Sequence, residues 1–345
     1  MNFNIKSSQF STFQIVMLLA VLSSVLFSGC KDEEPLPEID RSKQVMLSNE
    51  GNFGQGNGSL SIYYPKGNLV SNNVFESINQ EKLGDVFQSM ERIGNEHYLV
   101  VNNSGKIVVA SFMYQKIGEI TGFTSPRYFI PVNAKKAYVT DLFSNHIYVV
   151  DLDSRSIRDS IAVSGWCERG VTYNNSVWVT SPAGTYMYEI DATTDQLVDS
   201  VEVGQGNGAV VLDKNNQLWV SASGVFGENK GFLASVDPET KQVTQSKTLD
   251  GSVSGLVYSE MHHKLFFLNN GVQRVEVGSS IEPQDFYSKE NANFYAIGFD
   301  PMEQEVYVSD ALDFQQSSAI TRLDIDGNPL DEFKAGVATG NFFFP

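Results

Sequence analysis

Residues 138–151 read Tyr-Val-Thr-Asp-Leu-Phe-Ser-Asn-His-Ile-Tyr-Val-Val-Asp. Two runs of β-branched and aromatic residues flank a polar loop, and an Asp closes the second run. That pattern predicts two antiparallel strands joined by a short connection. The recurrence of the first run decides the fold. It returns as Met46-Leu47-Ser48-Asn49, Tyr98-Leu99-Val100-Val101, Trp178-Val179-Thr180-Ser181 and Trp219-Val220-Ser221-Ala222. It returns again as Phe266-Phe267-Leu268-Asn269 and Tyr307-Val308-Ser309-Asp310. The seven copies start at 46, 98, 138, 178, 219, 266 and 307, in steps of 52, 40, 40, 41, 47 and 41 residues.

Each copy is followed by a second strand, as at Ser59–Tyr63, Lys106–Ala110, His146–Val150 and Tyr186–Ile190. Asp151, Asp191, Asp237 and Asp324 close such strands and open polar turns. A third strand comes next, as at Leu197–Val203. An apolar strand also precedes each phrase, as at Gly170–Tyr173, Gly208–Leu212, Gly255–Tyr258 and Ala296–Phe299. Four strands in each repeat of about 40 residues make a propeller blade. The chain therefore reads as all-β, a seven-bladed β-propeller over residues 43–345. The first repeat lacks its inner strand, and the C-terminal Gly340-Asn341-Phe342-Phe343-Phe344 has no blade of its own. The tail is expected to complete blade one, which would leave no sheet edge open.

The N-terminus reads as an address. Lys6 is the only charged residue before an apolar run, Phe13–Phe27, that is too short to span a bilayer comfortably. Leu26-Phe27-Ser28-Gly29-Cys30 resembles a bacterial lipobox. By that resemblance residues 1–29 are a lipoprotein signal peptide, and Cys30 is the lipidated residue through which the chain meets a membrane. Residues 30–42 carry Lys31-Asp32-Glu33-Glu34-Pro35-Leu36-Pro37. Charge and proline make this segment a solvated tether, and its pattern resembles a surface-export signal of Bacteroidetes.

Composition narrows the functions. Asp and Glu number 41 against 24 Lys and Arg, a formal net charge of -17. Nucleic acid is excluded as a partner, because phosphate binding rests on basic side chains. Two cysteines make neither a disulfide framework nor a four-thiolate metal site. Cys167 has no histidine near it in sequence and reads as a small buried hydrophobe. The loops Gly54–Gly58 and Gly204–Gly208 lack the Lys-Ser/Thr and helix start of a phosphate cradle, so they read as blade rims. Asp324-Ile325-Asp326-Gly327 opens like a calcium loop but lacks its later ligands. No catalytic residue, metal or cofactor is expected.

A ligand would sit on the face that carries the loops between second and third strands and those entering the next blade. The candidate ligand-binding residues there are Asn52, Phe53, Asn103, Arg127, Tyr128, Asp141, Phe143, Trp166, Arg169, Phe226, Asn270, Tyr295, Asp310 and Phe314. Arg127 and Arg169 precede inner strands in the same register, so both should aim at the central funnel. A rim carboxylate is the competing partner for either. Asp141 and Asp310 occupy equivalent loop starts and could face each other across the funnel. Asn49 and Asn269 hold the same place in other blades, which favours a turn role.

The phrases Asn49-Glu50-Gly51-Asn52-Phe53, Tyr138-Val139-Thr140-Asp141, Ile147-Tyr148-Val149-Val150-Asp151 and Gly340–Phe344 together resemble the YncE-like seven-bladed propellers. More narrowly, they resemble the Bacteroidetes surface lipoproteins of that group. The likeness covers about residues 43–345. It implies a non-enzymatic outer-membrane lipoprotein, exposed at the cell surface, that binds a small ligand in the funnel. It also implies transfer of that ligand to a TonB-dependent transporter, with cobalamin or another corrinoid as the most specific candidate. No motif carries corrinoid-binding residues onto this chain. A glycan-binding or glycan-processing propeller and a protein-docking or adhesion module remain alternatives.

Overall fold

The computed structural model describes residues 43–278 and 280–345. The signal peptide, Cys30 and the tether expected above lie outside the described residues. Within them the chain forms seven four-stranded antiparallel sheets. The inner strands are Thr339–Phe343, Phe87–Ile93, Pro126–Asn133, Gly170–Tyr173, Asn207–Leu212, Ser254–Ser259 and Phe294–Asp300 for blades one to seven. Each packs on the inner strands of the blades before and after it, in a closed circle. This is a seven-bladed β-propeller. The 52-residue step accommodates a short helix, Val74–Asn79, whose Phe75 is buried against blade one. The 47-residue step accommodates the long outer hairpin of blade five, Lys230–Asp237 with Gln242–Asp250.

The recurrent phrase is the second strand of every blade, and its opening residue packs between neighbouring blades. Tyr98, Tyr138, Trp178, Trp219, Phe266 and Tyr307 are all essentially buried. Burying one such side chain stabilises the fold by roughly 1.5–3 kcal/mol. The polar tips are mostly satisfied. Tyr138 donates to Asp195 at 2.6 Å, Tyr98 to Glu96 at 2.9 Å, and Trp219 Nε1 to Asp213 at 2.9 Å. Tyr98 also stacks on Phe129 of blade three, with ring centroids 4.5 Å apart. The Asp that ends a third strand accepts backbone amides of the turn after it. Asp191 binds Thr193 and Thr194, and Asp237 binds Glu239 and Thr240. Those hydrogen bonds hold both carboxyls below the usual range.

Blade one closes the ring with both ends of the fold. Met46 pairs with Phe343 and Leu47 with Phe342. Phe342 is buried beside Tyr307. Asn49 staples the joint. Its Oδ1 accepts Thr339 Oγ1 at 2.6 Å and Gly336 N at 3.1 Å, and its Nδ2 donates to Ser61 Oγ at 2.8 Å. The last strand thereby pairs the edge that the first repeat would otherwise expose.

Candidate functional site

The first residues of six inner strands are bulged, blade four doubles the position just before its own inner strand, and these irregularities build the site. In blade two Phe87 pairs with Val101 and Ser89 with Val100, which leaves Gln88 unpaired. Tyr295 is skipped between Phe294 and Ala296, and Gly208 between Asn207 and Ala209. In blade three Arg127 and Tyr128 fall between paired Pro126 and Phe129. Gly255 and Leu256 fall between Ser254 and Val257, and Gly340 lies between Thr339 and Asn341. In blade four a single residue, Thr180, accepts from Glu168 N and donates to Arg169 O, both at 2.9 Å. A bulge places two residues opposite one and re-aims the extra side chain. Here the extra residues all line one axial cavity of about 480 Å³.

The ring of bulges is lopsided. Blades two, three, four and seven supply Gln88, Arg127, Tyr128, Glu168, Arg169 and Tyr295. Blades five, six and one supply Gly208, Gly255 and Gly340. Open space lies at Gly208, whereas a Cβ on Gly255 or Gly340 would press on Ile297 or Glu50. A Cβ on Gly208 would meet nothing closer than Gly206 O, at 3.9 Å. A wider cavity of about 750 Å³ lies at the mouth, lined by Asn52, Phe53, Asn102, Leu142 and Phe314 among others. The two share Glu50, Gln88 and Arg127.

Charges gather where the cavities meet. Arg127 donates to Glu168 Oε1 from Nε at 2.8 Å and from Nη2 at 2.7 Å, and also to Gln88. Glu168 is 5% exposed. Burial pushes its carboxyl up, against the pull of Arg127, while Glu168 pushes the Arg127 guanidinium up despite its own burial. Tyr295 donates to Glu50 at 2.9 Å, and burial raises the Glu50 carboxyl. The Arg169 guanidinium lies over the Tyr128 ring, 4.5 Å from its centroid. Glu91, on the inner strand of blade two, is pushed up to about 7 by burial, with Arg169 opposing the rise.

Four of the expected residues, Arg127, Tyr128, Arg169 and Tyr295, line the axial cavity. Asn52, Phe53 and Phe314 line the mouth. Asn52 Nδ2 donates to Phe314 O at 2.6 Å, and Phe314 meets Tyr295 edge-on at 5.1 Å. Both arginines reach the funnel, and Arg127 has a carboxylate partner there as well.

Asp141 and Asp310 need correction. Both are buried and line neither cavity. Asp141 accepts the amides of Thr124, Ser125 and Phe143, and Asp310 those of Asn293 and Leu312. A short carboxylate at a strand end satisfies the loop amides beside it before it can reach the axis. Asn103 likewise binds Asp85 at 2.6 Å, and Asn270 binds Asp250 O at 3.4 Å. Trp166 is half-buried and offers its carbonyl to Ser181 Oγ at 2.9 Å. Phe143 and Phe226 are exposed on loops and also line neither cavity. Cys167 is buried and its thiol is pushed up to about 12, as suits a core residue. Gln88 and Glu91 were missed. Their signal is an amide and a carboxylate inside an inner strand, Phe87-Gln88-Ser89-Met90-Glu91, where the inner strands of blades four, five and six carry no charged residue.

The family described as "Domain of unknown function (DUF5074)" matches residues 43–312. No curated protein is similar enough in sequence to match. Solved structures share the fold at low identity. A quinoprotein alcohol dehydrogenase-like protein from Bacteroides thetaiotaomicron is 14% identical, with a TM-score of 0.66 over 88% of this chain and 78% of that one. Hydrazine synthase from Kuenenia stuttgartiensis is 16% identical, with a TM-score of 0.59 over 68% and 74%. The dihydro-heme d1 dehydrogenase NirN is 9% identical, with a TM-score of 0.61 over 97% and 86%. Two of these are named as enzymes, but identities this low speak for the fold alone.

Proposed function

The chain belongs to the DUF5074 family, and for this member we propose a capture role: it binds a small ligand in the funnel and passes it to an outer-membrane transporter. Cys30 would carry the lipid that holds the protein at the cell surface, as the lipobox resemblance suggests. Catalysis is not part of the reading.

One observation carries it. The mouth and axial cavities join at a polar cluster, Glu50, Gln88, Arg127, Glu168 and Tyr295, below a partly apolar mouth that includes Phe53 and Phe314. Binding sites combine a concave, partly apolar wall with a few directed polar groups. Rigid strands hold these groups before any ligand arrives, which limits the entropy cost of binding.

The YncE-like resemblance makes a corrinoid the most specific candidate. A bulky ring bearing many amides would use the wide mouth for its body and the polar cluster for its side chains. The test is titration calorimetry of the mature protein with cobalamin and with cobinamide. Saturable heat at one ligand per chain supports the reading. Absence of heat at micromolar protein removes the corrinoid version.

A further inference from the structure

Two open polar groups of the axial cavity are neighbours in sequence. Glu168 and Arg169 fill the doubled position of blade four, opposite Thr180, and both line the cavity. Glu168 is 5% exposed, and its Oε1 receives Arg127 at 2.7 and 2.8 Å. Its Oε2 accepts no hydrogen bond among the described residues and is not sealed off from the cavity. The Arg169 guanidinium stacks on the Tyr128 ring at 4.5 Å, and no oxygen of the described residues accepts a hydrogen bond from it. A stacked guanidinium keeps its fork of N–H donors free. The Tyr128 ring places the two groups. Arg169 lies over it, and Arg127, which carries Glu168, lies 6.0 Å from the same centroid. Burial raises the Glu168 carboxyl, and Arg169 opposes the rise together with Arg127, yet no ion pair joins Glu168 to Arg169.

An open donor and an open acceptor that feel each other's charge without bonding leave a slot for a group carrying both complements. We propose that Arg169 and Glu168 Oε2 bind a primary carboxamide of the ligand, its carbonyl on the guanidinium fork and its N–H on the carboxylate. The inference rests on the funnel being the binding site and names the group that is read there. Charge selects the amide over its relatives. Arg127 already neutralises Glu168, so an ammonium beside that carboxylate would meet two guanidinium groups. A carboxylate on Arg169 would face Glu168 and also Glu91, which lies within the field of Arg169. A neutral amide satisfies both open groups and adds no charge to a desolvated site. The remaining wall suits an alkyl arm. Leu256, Ile297 and Phe342, from blades six, seven and one, line the cavity across the ring from blades three and four.

The test reads binding on the probe, so no substitution removes the signal. Methyl relaxation of butyramide, butyrate, n-butylammonium and 1-butanol is followed separately by ligand-observed NMR with the mature protein, at pH 7 and fixed ionic strength. Butyramide should bind with a half-saturation on the order of millimolar. That value should lie at least ~10-fold below those of the other three, as one charge-assisted hydrogen bond implies. Arg169→Met should weaken butyramide by a similar factor. Glu168→Gln gives a sharper result. Arg127 holds the side-chain oxygen, so the new amide N–H turns to the slot beside the guanidinium. Preference should then pass from butyramide to butyrate, which a merely structural role does not produce. Equal binding of butyramide and 1-butanol overturns the inference. So does tighter binding of butyrate or n-butylammonium to the unaltered protein, or full butyramide affinity in Arg169→Met. Should the variants fail to fold, the ranking of the probes on the unaltered protein decides alone. The funnel reading is judged separately. Corrinoid heat without butyramide selectivity leaves that reading standing and removes this one. Butyramide selectivity without corrinoid heat keeps this subsite and removes the corrinoid. Absence of both removes the subsite and the corrinoid alike.

Discussion

Replacing Arg127 with methionine removes the one hydrogen-bonded cation of Glu168 while leaving its carboxylate 5% exposed. Arg127 approaches Glu168 Oε1 from two nitrogens, at 2.7 and 2.8 Å. Taking away one partner of such a pair strands a desolvated charge, which costs about 3–5 kcal/mol. Unfolding entropy is about 2.1 cal/mol/K per residue. Over the roughly 300 residues of the ring that becomes about 0.6 kcal/mol/K, so the melting temperature should fall by about 5–8 °C. Glu168→Gln should cost less, because Arg127 keeps Gln88 and is partly solvated. The double variant Arg127→Met with Glu168→Leu should recover most of the loss, since neither charge of the pair remains. The sign with pH is also fixed. Without Arg127 the folded-state pKa of Glu168 moves further above its unfolded value. The folded state then holds its proton more strongly, so the deficit shrinks as pH falls and grows as pH rises. Scanning calorimetry of the three variants at pH 5 and pH 8 measures all of this. A shift under about 1 °C for Arg127→Met at pH 8, or equal shifts for both single variants at both pH values, would refute the argument.

Three further outcomes follow from the same geometry. Gly208→Leu should fill the open space beside it in the axial cavity and block ligand heat while moving the melting temperature by only a few degrees, because its Cβ meets open space and its φ is not left-handed; a variant that still binds normally shows that the ligand lies elsewhere. Phe342→Ala should destabilise the ring by about 3–5 kcal/mol in urea unfolding, the usual loss for a buried Phe, and a cost near zero would mean that the closing strand is not anchored there. His97 is buried, stacks on Tyr114 at 5.0 Å, leaves both ring nitrogens unpartnered, and is lowered to about 4 by burial and Arg92. The unfolded chain therefore protonates first, and His97 subtracts stability as pH falls from about 6.5 to about 4; His97→Phe should flatten that part of the urea-midpoint profile, and parallel profiles would sink the assignment.

The blades were legible in sequence because they are local. Each strand lies next to its neighbour in the chain, so period-two patterning and Asp-initiated turns suffice to predict four strands per repeat. Even the closure could be read, since three terminal Phe and a missing inner strand leave one economical solution. The placement of Arg127 and Arg169 followed from their shared register ahead of inner strands, and Tyr128 and Tyr295 were expected on the same face from their place in the loops entering their blades. Asp141 and Asp310 share a comparably regular register, yet their carboxylates turn to backbone amides a few ångströms away. Which of two nearby sets of donors a short side chain reaches is a matter of distance in space, and sequence spacing does not encode it. The same holds for the bulges. The bulge in each blade decides which side chain meets the axis, and only the packing of blade three against blade four brings Arg127 to Glu168 across 41 positions. Patterning along the chain determined the walls of this protein. The lopsided ring of large polar residues and glycines that shapes its cavity arose only when seven blades were brought around one axis, because the cavity is made of contacts between residues that are distant in sequence.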